Sequence, residues 1–417
     1  MAMVTPSETV DVDGGNIAPL PRVSIQAFCE TPAVSQALQD AAADRRLDKA
    51  HVRVQMGGAP AAVEAYRNAP TPNVIILESD GGRDVLSGYM DRLAEVCDAG
   101  TKVVVIGHVN DVLLYRELMR RGVNEYLVAP VAALDLVRAL SDLFRAADAE
   151  PVGRTVAFVG AKGGVGASTV AHNVGWAIAR VLDLETVVVD LDLAFGTAGL
   201  NFNQDPPQGI AEAVFAPDRL DASLLDRLLA KCTDNLSLLA APATLDRSYD
   251  FAAEAFDIVY DILRANVPCV ILDIPHVWAG WSKRAILAAD EIVIVASPDL
   301  ANLRNAKNIV DLTRAQRPND SPARLVLNMS GVPKRPEIKV AEFAKALDIK
   351  PSAIIPFEPQ LFGTAANNGQ MIAEISASHK VNEFFMDIAR SVTGRSEARA
   401  HKGGLLDPLF ARLLKKA

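Results

Sequence analysis

Between Gly160 and Thr169 the chain reads Gly-Ala-Lys-Gly-Gly-Val-Gly-Ala-Ser-Thr, with four glycines, one lysine and two hydroxyls in ten residues. This composition suits the holding of phosphate. Glycines let successive backbone N–H groups close around anionic oxygens, and a hydroxyl just behind them can join a cation carried by those oxygens. The candidate contacts are Gly160, Lys162, Gly163, Gly164, Val165, Gly166, Ala167, Ser168 and Thr169. The pattern G-x-x-x-x-G-K-[ST] is nearly present between Gly160 and Ser168, but Ala167 stands where the lysine would reach the β- and γ-phosphates. Lys162, near the front of the stretch, is the lysine that remains. A glycine-rich turn with no ligand has a similar composition, so the flanking elements must decide between the two. An apolar run, Val156–Val159, predicts a strand, and Ala167 to about Leu182 predicts an apolar helix whose positive end would face the anion.

Acidic residues follow at the ends of other apolar runs. Glu185-Thr-Val-Val-Val-Asp-Leu-Asp192 reads as a buried strand closing on Asp190 and Asp192, and Cys269-Val-Ile-Leu-Asp-Ile-Pro275 as another closing on Asp273. An acid at the end of a buried strand is common. Behind a phosphate loop it becomes a candidate for cation and water chemistry. Two further strands, Glu291–Val295 and Arg324–Leu327, lead to Ser297-Pro298 and to Asn328, and Ile354-Ile-Pro-Phe-Glu358 comes later. A helix over Met371–Arg390 closes this half.

The series Lys162-Gly-Gly-Val-Gly-Ala-Ser-Thr169, Asp190-x-Asp192, Val270-Ile-Leu-Asp273, Asp299-Leu-Ala-Asn-Leu-Arg-Asn305 and Ile355-Pro356 resembles the deviant Walker A ATPases of the MinD/ParA family, over roughly 154–391. The resemblance implies a doubly wound parallel-sheet P-loop NTPase domain that binds ATP and Mg²⁺. By the same resemblance, Ser168, Asp190 and Asp273 belong to the Mg²⁺ site, Asp273 acting through water, and Asp192 positions the attacking water. Thr169 would meet the α-phosphate, Asn328 the adenine, and Pro356 and Phe357 the base. Lys162 is implied to reach across a homodimer to the partner's nucleotide, which makes Lys162 and Asp192 the catalytic candidates.

The elements before this half alternate in the same α/β manner. Val23–Phe28, His51–Gln55, Val74–Leu77, Lys102–Ile106 and Glu125–Val128 predict strands, with helices over Val34–Leu47, Ala59–Asn68, Val85–Ala99, Asp111–Arg120 and Ala133–Ala146. The order, and the ending Tyr126-Leu-Val-Ala-Pro130, resemble a receiver domain of flavodoxin-like topology. The receiver chemistry is missing. Glu78 ends the third strand, Gly107 takes the hydroxyl position and Ala129 the lysine position, so nothing remains to hold an acceptor phosphoryl group. The expectation is a pseudo-receiver for docking or dimerising, with Glu78 either a strand-end acid or a permanent charge mimic. The expected division is a disordered tail over 1–21, this domain over 22–146, a linker at 147–154, the ATPase-like domain over 155–391, a linker at 392–404 and a short helix over 405–417.

Composition narrows the functional classes. With 417 residues, 50% hydrophobic and 22% charged, the chain can bury several cores. A net charge of −9 argues against a general affinity for nucleic acid. Four scattered cysteines read as reduced thiols of a cytoplasmic protein, and no apolar run reaches 18 residues. The start lacks the basic and apolar stretches of a signal peptide. The end differs in charge, carrying a net of +4 from Arg395 onward. Asp407 and Pro408 can start a helix of about ten residues with Leu409, Phe410, Leu413 and Leu414 on one face, a pattern that suits an anionic membrane surface, or packing on a protein.

A pseudo-receiver joined to a loop with alanine in place of its lysine resembles the CpaE/TadZ proteins of Flp/Tad-type pilus assembly. That implies an ATP-dependent dimer that places pilus or secretion machinery at the cytoplasmic face of the inner membrane, with weak hydrolysis at most. The alternatives are an active MinD-like ATPase cycling on the membrane and a ParA-like DNA-partitioning ATPase.

Overall fold

The computed structural model describes residues 17–98, 100–145, 152–245 and 248–394. Within these, packing divides the chain into two units. The first holds the described residues before 152 together with Arg317–Ser321, and the second the remainder. Of the expected 1–21 tail, residues 1–16 lie outside the described residues, as do most of the linker at 147–154 and everything from 395 on, including the 405–417 segment. In the remainder, Ile17 and Leu20 are buried in the core of the first unit.

In the first unit, runs rich in Val and Ile form five strands: β1 Ser24–Cys29, β2 His51–Met56, β3 Val74–Ser79, β4 Lys102–Gly107 and β5 Glu125–Val128. They pair in the order β2-β1-β3-β4-β5, all parallel. This is the flavodoxin-like order. Strand β3 is buried along its whole length, whereas edge strand β2 is mostly exposed. Helices Pro32–Ala42 and Ala133–Phe144 cover one face, and Gly58–Ala65, Arg83–Ala94 and Val112–Arg120 the other. The expected helix Val34–Leu47 stops at Ala42 because Asp44 turns its carboxylate onto the Arg46 N–H, starting a 3₁₀ turn over Arg45–Leu47.

In the second unit the strands are β6 Arg154–Gly160, β7 Thr186–Asp190, β8 Ala230–Thr233, β9 Leu236–Leu239, β10 Cys269–Ile274, β11 Glu291–Ala296, β12 Arg324–Ser330 and β13 Ala353–Pro356. Their order is β13-β12-β11-β6-β10-β7-β9-β8. All pairs are parallel except β8 with β9, a short edge hairpin. Two apolar layers lie on the two faces of this sheet. Because β6, β7, β10, β11, β12 and β13 run the same way, their carboxyl ends lie along one edge. In open parallel sheets that edge holds the ligand crevice. The helix expected over Met371–Arg390 is two helices, Ile372–Ile375 and Val381–Thr393. Between them the Asn382 amide donates to the carbonyls of Ser376 and Ala377, competing with helical bonding.

Candidate functional site

Strand β6 delivers the chain from the middle of the second sheet into the glycine-rich loop, and helix Ala167–Val181 begins directly after it. Gly164 and Gly166 adopt left-handed backbone, with φ of 78° and 82°. Gly166 meets a further constraint, since a Cβ there would lie 2.5 Å from the Asn328 amide nitrogen. That position therefore requires glycine on both counts.

Three side chains from three elements brace the loop by its carbonyls. Asn328 at the end of β12 donates to the Val165 carbonyl at 2.8 Å, and Asn305 on helix Leu300–Gln316 donates to the Ala161 carbonyl at 2.8 Å. His276, just past β10, places Nδ1 3.0 Å from the Gly160 carbonyl. Among the described residues, the turn and cap hydrogen bonds include none donated by the N–H groups of Lys162 through Thr169. With the carbonyls taken by side chains and the N–H groups left for an acceptor, the loop fits a polyphosphate.

The hydroxyl and acid at the foot of the loop meet. Ser168 Oγ donates to Asp273 Oδ1 at 3.1 Å. Oxygen donors of this type suit Mg²⁺, which keeps part of its water shell and takes the rest of its ligands from phosphates. Among the described residues no group of three or more His, Cys, Asp or Glu is placed to hold a metal ion.

Asp190 is paired in register with Asp273 across β7 and β10 and is almost wholly buried. Burial first, and the neighbouring Asp273 second, push its carboxyl up to about 7. Its oxygens accept from the N–H groups of Asp192 at 3.1 Å and Ala198 at 3.0 Å, so its visible work is to fold the 190–198 turn. Asp192 is partly exposed and accepts from the Phe195 N–H at 3.1 Å. Lys162, Gly163 and Gly164 are exposed at the loop front, and Lys162 makes no ion pair among the described residues. Ala167 and Thr169 are partly exposed on the first helical turn, and Asn173 donates to the Thr169 carbonyl. Asn328, expected at the base, is buried and engaged with the loop, while Pro356 and Phe357 flank the end of β12, the Phe357 N–H donating to the Ser330 carbonyl.

Sequence reasoning gave no part to His276, to the Asn305 side chain or to His172. His172 is buried on the loop helix, with Nε2 3.1 Å from Asp273 Oδ2. Its signal was present, since His172 and Asn173 are consecutive polar residues in an otherwise apolar helical run.

In the first unit, the residue at the receiver's acceptor position is consumed internally. Glu78 Oε2 accepts from the N–H groups of Glu30 at 2.7 Å and Thr31 at 2.8 Å, and Oε1 from the Thr31 hydroxyl at 2.6 Å, with His108 Nε2 at 3.0 Å. Glu78 is almost fully buried, so of the two expected roles the geometry favours the strand-end acid. Gly107 is equally committed: a Cβ there would lie 2.1 Å from the Tyr126 hydroxyl, which turns inward to donate to the Val109 carbonyl.

No family model matches the chain. In sequence it is 26% identical over 260 residues to the septum site-determining protein MinD of Bacillus subtilis, covering 59% of this chain and 91% of that protein. It is 27% identical over 274 residues to MinD of Synechocystis, covering 63% and 98%. Among solved structures, a ParA family ATPase from Chlorobium tepidum is 25% identical with a TM-score of 0.51, covering 57% of this chain and 98% of that one. A pilus assembly protein CpaE from Caulobacter crescentus is 47% identical with a TM-score of 0.31, covering 31% of this chain and 98% of that one.

Proposed function

The chain belongs to the MinD/ParA family of ATPases as a CpaE-like member, and on that premise we propose that it binds ATP with Mg²⁺, dimerises in response, and organises pilus or secretion machinery at the cytoplasmic face of the membrane. The observation that carries the nucleotide part is the braced loop followed directly by Ser168, whose hydroxyl meets Asp273. When bound, Mg²⁺ neutralises charge on the β- and γ-phosphate oxygens. The chain's residues then have distinct tasks. The loop N–H groups from Lys162 to Thr169 grip the phosphates, Ser168, Asp273 and the Asp190 turn shape the cation site, and Asp192 holds and orients a water. Asn328, Pro356 and Phe357 border the base.

Weak hydrolysis follows from Ala167. A lysine there would place an ammonium beside oxygens whose charge grows in the transition state, and removing one such donor costs about 2.7–4 kcal/mol. What is left is a site suited to hold ATP longer than it cleaves it.

Two features support dimerisation around the nucleotide. Lys162 is exposed at the mouth of the loop and makes no ion pair among the described residues, which leaves it available to an anion outside its own loop. Beyond the carboxyl ends of β7, β10 and β11, on the sheet edge that also carries the loop, Phe195, Leu200, Val277, Trp278 and Leu300 expose large apolar side chains to solvent. Exposed apolar residues along the edge of a polar site suit a contact surface. The pseudo-receiver, with Glu78 and Gly107 both committed to packing, acts as a docking module. Among the described residues no helix is long and apolar enough to cross a membrane. The proposed membrane contact is assigned to the basic, leucine-rich sequence 405–417.

Titration of a fluorescent ATP analogue beside a phosphate-release assay tests this reading. Mg²⁺-dependent binding with slow turnover is the expected result. Brisk turnover would favour a MinD-like cycling ATPase instead.

A further inference from the structure

Ser168 and His172 lie one helical turn apart on the loop helix, and both face Asp273. Ser168 takes the Oδ1 oxygen, and His172 Nε2 lies 3.1 Å from Oδ2. The opposite edge of the imidazole is fixed. Nδ1 lies 3.0 Å from the Asn201 side-chain amide nitrogen, and the ring packs against Phe202 with centroids 5.3 Å apart. An amide nitrogen only donates, so Nδ1 is the acceptor and the ring proton resides on Nε2, toward Asp273. That N–H is buried and out of line for a hydrogen bond, so its 3.1 Å approach gives proximity but no satisfied donor. A buried donor in this state costs free energy that a small rotation of ring or carboxylate would recover.

Asn201 ends the short helix Ala198–Asn201, whose first N–H caps Asp190. His172 therefore stands between the Asp273 carboxylate and the segment that follows Asp190 and Asp192. A Ser168 hydroxyl that turned a lone pair toward a cation would keep its proton for Asp273 Oδ1. The carboxylate would then be held from two sides, by Ser168 at Oδ1 and by His172 at Oδ2.

We propose that His172, its tautomer set by Asn201, is a positioning residue that holds Oδ2 of Asp273 and so orients the other oxygen for Mg²⁺. This rests on the nucleotide reading given above. It also gives the segment 197–202 a direct link to the cation site, so that a change in the cation's occupancy is transmitted to the turn carrying Asp192.

The test uses the full chain and a fluorescent ATP analogue, titrated in EDTA and then with Mg²⁺ at fixed nucleotide. Loss of an outer-shell partner of a metal ligand typically costs about 10–100-fold in metal affinity. His172→Leu should raise the Mg²⁺ concentration for half-maximal enhancement by about that factor, while the affinity in EDTA stays at the wild-type value. His172→Gln, which keeps a donor and an acceptor, should recover most of the loss. Asn201→Ala, which spares the core if His172→Leu fails to fold, should give a smaller shift in the same direction. An unchanged Mg²⁺ midpoint in Asn201→Ala and His172→Leu, or an equal loss in EDTA and Mg²⁺, would overturn the proposal. A wild-type chain that binds no nucleotide would instead overturn the nucleotide reading itself.

Discussion

The side chain of Asn328 and the backbone of Gly166 occupy one space. The Asn328 amide donates to the Val165 carbonyl at 2.8 Å, and a Cβ on Gly166 would lie 2.5 Å from that same nitrogen. Gly166→Ala therefore meets two penalties, a left-handed backbone costing about 1–2 kcal/mol for a residue with a Cβ, and displacement of the brace. We expect it to abolish nucleotide binding in a fluorescence titration while far-UV circular dichroism stays unchanged. Asn328→Ala should weaken binding without abolishing it, through loss of a hydrogen bond worth about 1 kcal/mol and of local order.

Ala167 sits on the first turn of the loop helix, partly exposed, where a longer side chain can reach forward. Ala167→Lys should raise the rate of phosphate release by roughly 10²–10³-fold, the factor typical of one well-aimed donor to transition-state charge. Brisk wild-type turnover that Ala167→Lys leaves unchanged would show that the missing lysine is immaterial.

The buried Glu78 makes the first unit sensitive to acid. Burial pushes its carboxyl up, but donors from Thr31, Glu30 and His108 outweigh burial and bring it below its ordinary 4.5. A carboxylate with a lowered value contributes stability that is present above the unfolded value and lost as pH falls through the folded one. Urea unfolding should show the wild type losing stability below about pH 4.5. Glu78→Gln should be less stable at neutral pH by roughly 1–3 kcal/mol and flatter toward acid. An equal acid slope in both proteins would remove Glu78 from this role.

Residues 405–417 combine Leu409, Phe410, Leu413 and Leu414 with Arg412, Lys415 and Lys416. One such segment contributes about 1.5–3 kcal/mol per fully buried apolar side chain before ordering costs, so two on a dimer should bind far more firmly than one. Deleting 405–417 should abolish co-sedimentation with anionic liposomes in the presence of ATP. Retained binding would place the membrane contact on the body of the protein.

Both α/β sheets were legible in the sequence because their central strands are continuous apolar runs, as in Val74–Leu77 and Val187–Val189, and the loop because its glycines do geometric work. The β8–β9 hairpin was missed, since four-residue edge strands such as Ala230–Thr233 carry too short a pattern to stand out. The closing helix was read as one element because periodicity does not register the break at 376–380, where the Asn382 side chain takes the Ser376 and Ala377 carbonyls. In the site, residues that act on backbone were the hard ones. Asn305 and His276 hold carbonyls contributed by residues more than a hundred positions away, a relationship that no local spacing expresses.

ATP is proposed to drive dimerisation through Lys162, the exposed lysine at the loop front. Sedimentation velocity on the full chain with no nucleotide, with ADP and Mg²⁺, and with ATP and Mg²⁺ tests it most directly, with Lys162→Ala run alongside. A dimer is expected only in ATP and Mg²⁺, and a Lys162→Ala chain should still bind nucleotide but stay monomeric. The same sedimentation in all three conditions, or an unchanged ATP-dependent dimer in Lys162→Ala, would contradict it.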